Sequence, residues 1–237
     1  MVGGTIMTDS RSERTIAFIL YPGVTLLDLV GPLEVLSKLP PPYRTVVVAE
    51  RGGPMSTSLP VEMTAGKVFD DYPDPYVLIV PGGSGGAIKA MGNEKIRDYI
   101  ISADRTAMFV GSVCTGSLIL AATGLLEGRQ ATTHWSYATF LEKLGSKYVK
   151  KRWVQDGRYI TSAGVSAGID MAFELAAQLG GVKASKMIQT GLEYDPQPPF
   201  GPIEWKDVDM DARTASIMQK MREELAGRPD LLRKLEG

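Results

Sequence analysis

Four short apolar runs recur through the chain, at residues 15–21, 43–49, 76–80 and 107–113, and they confine it to one broad kind of fold. Each is rich in Val, Ile, Leu or Phe and shows little alternation of polar and apolar residues, as expected of strands buried on both faces. Helical patterns and turn signals fill the intervals. Buried strands alternating with helices predict a mostly parallel sheet covered on both sides, an α/β fold. The chain of 237 residues, 44% hydrophobic and 22% charged, has ample core for one such domain.

In chain order, the first strand ends at Pro22-Gly23, and a helix is expected with Pro32 in its first turn, running to about Leu39 and closed by Pro40-Pro41-Pro42. Residues 55–58 and 61–64 suggest a hairpin, and 93–102 a helix. Past the fourth strand a helix is expected up to Thr123-Gly124, then a short strand at 130–133 and a helix at 136–144. Runs 148–154 and 159–161 flank Asp156-Gly157, a hairpin signal. Helices over 167–179 and 183–190, a Pro-rich loop at 194–202 and a charged amphipathic helix near 208–225 complete the expected series.

Residues 1–14 are small and polar with no apolar core after a basic start, and read as a flexible leader rather than a signal peptide, with Met7 an alternative start; residues 15–237 read as one domain. No stretch is long and apolar enough to span a membrane. A net charge of −1 and a pI near 6.0 argue against nucleic acid or an anionic membrane as the main partner.

The fourth strand runs into Gly111-Ser112-Val113-Cys114-Thr115-Gly116, after which a helical pattern resumes. Cys114 is thereby expected on a sharp strand-to-helix turn, where unpaired N–H groups and the helix dipole favour thiolate. That is a nucleophile elbow with cysteine in place of serine; a buried structural thiol is the plainer alternative. As the single cysteine it excludes an intramolecular disulfide and any Cys-rich metal site, and an exposed reactive thiol suits a reducing compartment, the cytoplasm.

Asp28 stands among leucines and valines just past the first strand. It is either a helix cap or a functional carboxyl at the strand's C-terminal end, where ligands gather in open sheets. Pro81-Gly82-Gly83-Ser84-Gly85-Gly86 follows the third strand but lacks the Walker lysine and the dinucleotide spacing; its glycines let backbone N–H groups approach a small anionic centre. His134, the single histidine, follows a short strand and is either a partner for Cys114 or a structural imidazole.

Asp28 in Leu27-Asp28-Leu29-Val30-Gly31-Pro32, Pro81-Gly82-Gly83, Ser112-Val113-Cys114-Thr115-Gly116-Ser117, Ala131-Thr132-Thr133-His134-Trp135 and Ala167-Gly168-Ile169-Asp170 resemble the DJ-1/PfpI superfamily, and within it the bacterial isocyanide hydratases. The likeness covers about residues 15–200. The Cys-Thr-Gly and Thr-Thr-His-Trp motifs also occur in sensor domains of AraC-type regulators, which append a basic helix-turn-helix domain for which this chain ends too soon. The resemblance implies a flavodoxin-like, class I glutamine amidotransferase-like three-layer sandwich, a homodimer, and neither cofactor nor metal. It implies Cys114 as nucleophile, Asp28 as proton donor and acceptor, Thr115 as a hydroxyl near the site, and Gly82 and Gly83 at the substrate or oxyanion position. The activity it implies is hydration of an isocyanide to an N-formamide through a Cys114 thioimidate. A related enzyme acting on reactive carbonyls, or a ligand or redox sensor without turnover, stays open beside it.

Overall fold

A computed structural model describes residues 13–237; most of the expected leader lies outside them, while Arg14, assigned to it above, opens the first strand. Along the chain run β1 (Arg14–Leu20), β2 (Tyr43–Ala49), β3 (Pro54–Ser56), β4 (Glu62–Thr64), β5 (Lys67–Val68), β6 (Val77–Val80), β7 (Phe109–Val113), β8 (Gln130–Ala131), β9 (Lys147–Tyr148), β10 (Trp153–Asp156) and β11 (Tyr159–Ser162). Seven of them form one sheet in the order β10-β11-β7-β6-β1-β2-β5. Every pairing in it is parallel except the β10–β11 hairpin. The four apolar runs supply its middle, and Ile16, Phe18, Leu78, Ile79 and Val110 are fully buried there.

The helices are α1 (Leu26–Leu36), α2 (Ser84–Gly92), α3 (Glu94–Asp104), α4 (Gly116–Ala122), α5 (Ala138–Lys143), α6 (Ala167–Gly180), α7 (Val182–Gly191), α8 (Thr214–Glu224) and α9 (Pro229–Glu236). Helices α1, α6 and α7 pack together as one outer layer, and α2 to α5 as the other, giving the flavodoxin-like three-layer sandwich. None of the described helices is long and apolar enough to cross a membrane.

The chain leaves β1 toward β2 on one side and returns to β6 on the other. This reversal opens a crevice at the C-terminal ends of β1 and β6, the place where open α/β sheets bind ligands. Asp28 follows β1, Gly82 and Gly83 follow β6, and Cys114 follows β7, so all lie at one end of the sheet.

Local boundaries differ from expectation in four places. Helix α1 starts at Leu26, and Pro32 lies inside it; its ring removes only the N–H that would have reached the Asp28 carbonyl one turn back. The glycine loop is cut short by α2, which begins at Ser84. The segment 148–154 is divided between the end of β9 and the start of β10. The expected terminal helix is shorter, and α9 follows it, anchored by buried Leu231 and Leu235.

Candidate active site

Cys114 sits on the turn between β7 and α4 with φ 54°, left-handed backbone that costs a non-glycine residue about 1–3 kcal/mol. Its surroundings hold that conformation. The Cys114 N–H reaches the carbonyls of Ser162 and Ala163, both at 3.1 Å. Its carbonyl accepts from the hydroxyls of Ser117 and Thr133, both at 3.0 Å. The strained turn is therefore tied to α4, to the segment after β8 and to the end of β11.

Asp28 lies in the first turn of α1, but not as its cap: Thr25 holds that position. The Asp28 carboxyl is fully buried; the Cys114 thiol and the Gly82 N–H lie alongside it, but neither is aligned well enough to make a regular hydrogen bond to its oxygens. Removal from water makes ionisation in that position harder than for an ordinary surface carboxyl. Burial pushes Asp28 up to about 7, against smaller downward pulls from the Cys114 thiol and the Gly82 N–H alongside it. A carboxyl balanced between its two forms near neutral pH is suited to carry a proton both ways.

Gly82 is where the β6 loop closes on this pair. A Cβ there would lie 2.7 Å from Asp28 Oδ2, 2.7 Å from the Thr115 nitrogen and 2.8 Å from Thr115 Oγ1. The Gly82 carbonyl accepts from the Thr25 N–H at 2.9 Å, fixing the start of α1. The Gly83 N–H is donated to Thr115 Oγ1 at 2.9 Å, so it orients the threonine hydroxyl and does not face the sulfur.

Cys114 is only 5% exposed, which corrects the expectation of an exposed thiol with a depressed pKa. Burial pushes the thiol up and the Asp28 charge adds to this, while the backbone N–H groups of Val165 and Thr115 pull the other way. Helix α4 spans seven residues, and the partial charge at its end is outweighed by removal of the sulfur from water. The resting pair thus holds a buried thiol beside a buried carboxyl pushed up to about 7.

One ring nitrogen of His134 is engaged by Ser136: Nδ1 accepts from the Ser136 N–H at 3.3 Å and lies 2.9 Å from Ser136 Oγ, which assigns the remaining ring proton to Nε2. Burial and the nearby Arg213 charge lower its pKa, keeping it neutral. Two tyrosines escape a reading by motif. Tyr21 is buried near Asp28 and Cys114, and its hydroxyl donates to the Pro81 carbonyl at 2.7 Å, pinning the glycine loop. Tyr137 packs close to Cys114 and Ser84. Each ends or follows an element whose face shows only in three dimensions.

A cavity of about 620 Å³ opens beside the pair. Neither Cys114 nor Asp28 lines it, but Leu27, Thr133, Ala163 and Val165 do. Leu27 precedes Asp28, and the other three bond to Cys114, so the cavity ends against the shell that surrounds the sulfur.

Fold and site together define a mostly parallel α/β protein with a buried thiol on a strained strand-to-helix turn and a buried carboxyl beside it. The chain belongs to the DJ-1/PfpI family, whose model matches residues 14–178. It is 44% identical over 185 residues to the isonitrile hydratase of Pseudomonas putida, covering 78% of this chain and 80% of that protein. It is 31% identical over 170 residues to the HTH-type transcriptional regulator CdhR of Pseudomonas aeruginosa, covering 69% of this chain and 50% of the regulator. The crystal structure of a THiJ/PfpI family protein from Pseudomonas syringae superimposes with a TM-score of 0.81 at 31% identity, over 100% of this chain and 98% of that one.

Proposed function

We propose that the chain is an isocyanide hydratase, a hydro-lyase that adds water to R–N≡C and releases R–NH–CHO. The observation that carries this reading is the buried carboxyl of Asp28, in no ion pair among the described residues, beside the buried thiol of Cys114; the likeness to the Pseudomonas putida enzyme supports it. Asp28 in its ionised form takes the thiol proton. The sulfur bonds to the terminal carbon of the isocyanide, and the proton passes from Asp28 to that same carbon, giving the thioimidate R–N=CH–S. Water then adds to this carbon, losing one proton through Asp28 to the nitrogen. Collapse of the tetrahedral adduct expels the sulfur, which regains a proton as the formamide carbonyl forms. Thr115, its oxygen held by the Gly83 N–H, has a hydroxyl hydrogen to offer to the water or adduct.

A buried sulfur suits this substrate. The isocyano group is linear and two atoms long, a slender head group for a sulfur set behind Ala163, Val165 and Thr133. The test is incubation with a simple aryl isocyanide and detection of the formamide; turnover of methylglyoxal in its place would favour a carbonyl enzyme. The active form is a homodimer in the same reading, supported by Phe200, an aromatic side chain 97% exposed, and a catalytic free thiol fits a cytoplasmic setting.

A further inference from the structure

The cavity beside the site has an uneven chemistry. Its body is apolar, built from Leu27, Trp135, Tyr148, Val165, Ile203 and Trp205, whereas Lys150, Lys151 and Arg152 bring three cations to it and no Asp or Glu among the described residues lines it. Arg152 is already neutralised, since it bonds to Asp170, which also accepts from the Tyr194 hydroxyl. Lys150 stands over the Trp205 ring, 4.7 Å from its centroid, a contact that keeps its full charge. Lys151 forms no ion pair among the described residues. Lys150 and Lys151, exposed and in no ion pair among the described residues, therefore line an apolar chamber that ends against the shell of Cys114.

We propose that this cavity selects an isocyanide with an apolar, preferably aromatic, body and a carboxylate at the end remote from the isocyano group, held by Lys150 and Lys151. The proposal rests on the hydratase reading for the identity of the reacting head group, and on the cavity alone for the anionic tail. The apolar body would pack on the Leu27, Trp135 and Trp205 lining, and the carboxylate would meet the two lysines. The gain from two solvent-exposed ion pairs is modest, about ten-fold in affinity.

Binding and turnover separate the two readings. Calorimetry on the wild-type protein compares 4-formamidobenzoate with its methyl ester, which differ only in the anionic end. The carboxylate is expected to bind about ten-fold more tightly. Lys151→Gln, which disturbs no described ion pair, should cut that ratio to about three-fold, and the Lys150→Gln/Lys151→Gln pair should bring it near one. Added salt should narrow the wild-type ratio. Equal binding of acid and ester, a ratio unmoved by the lysine changes, or no binding of either would overturn the subsite. The same pair as isocyanides, 4-isocyanobenzoate and its methyl ester, reports on catalysis. No formamide from either, with the binding preference intact, sinks the hydratase reading and leaves the anion subsite standing. Equal turnover of both with equal binding does the reverse.

Discussion

Gly82 and Asp28 are packed so closely that a methyl group on the glycine would stand 2.7 Å from the carboxyl Oδ2. The same methyl would meet the Thr115 nitrogen at 2.7 Å, and backbone cannot swing aside as a long side chain can. Gly82→Ala should therefore displace Asp28 from Cys114. Overpacking of this kind costs about 1–3 kcal/mol, so the variant should fold with a lowered melting temperature and lose at least about ten-fold in formamide production, since small misplacements carry large catalytic costs. A variant that melts lower but turns over at the wild-type rate would separate the close packing from the chemistry.

The carboxyl also leaves a signature in stability. Asp28 titrates near 3.8 ordinarily and at about 7 in the folded protein, so between those values the folded state keeps a proton that the unfolded chain releases. Its contribution is fully present below pH 4, is lost as pH rises toward 7 at up to about 1.4 kcal/mol per pH unit, and levels off above. Asp28→Asn has no such titration. Denaturant melts of both proteins from pH 4 to 8 should show wild type losing ground to the variant across that window. A flat difference would mean an ordinary, solvated carboxylate.

Thiol chemistry gives an independent reading of the pair. Because burial and the Asp28 charge both raise Cys114, iodoacetamide should alkylate the folded protein more slowly than free cysteine at pH 7. Asp28→Asn removes the neighbouring charge, so alkylation at pH 8 should quicken by several-fold even as hydration slows. Rapid alkylation of wild type at neutral pH would restore the exposed thiolate that the turn alone suggests.

His134 should matter little to the proton path. Its Nδ1 is bonded to Ser136 and the ring is held neutral. His134→Gln should retain hydration within about ten-fold of wild type, well short of the roughly 100- to 10,000-fold that general acid–base groups supply. A larger loss in kcat would assign the imidazole a part in catalysis.

Much of the architecture was legible in the chain, because buried parallel strands such as Leu78 and Ile79 in β6 are written as unbroken apolar runs. The order of β1, β6 and β7 brings Asp28, Gly82 and Cys114 to one sheet end, and their motifs already marked them. What escaped depended on neighbours distant in sequence. Helix α2 hides behind Ser84-Gly85-Gly86, residues of poor helix propensity. A Cβ on Gly86 would lie 2.4 Å from the Gly23 carbonyl oxygen, so the glycine answers to packing and not to a phosphate. Pro32 read as a helix start because only tertiary packing tolerates it mid-helix in α1. The burial of Cys114 comes from the segment 163–165 folding over it, which no local pattern around the cysteine records. Helix α9 did carry a signal, with Pro229 at its first turn and Leu231, Leu232 and Leu235 at helical spacing.

The most direct test is steady-state formamide production from an aryl isocyanide by wild type, Cys114→Ser, Asp28→Asn and Asp28→Glu, each beside a thermal melt. Wild type should turn over and Cys114→Ser should not. Asp28→Asn should remain folded yet fall by about 100- to 10,000-fold, and Asp28→Glu should recover part of that loss, because it keeps a titratable carboxyl displaced by one methylene. Normal turnover by Asp28→Asn, or formamide formation by Cys114→Ser near the wild-type rate, would contradict a shared proton between these two residues as the basis of the reaction.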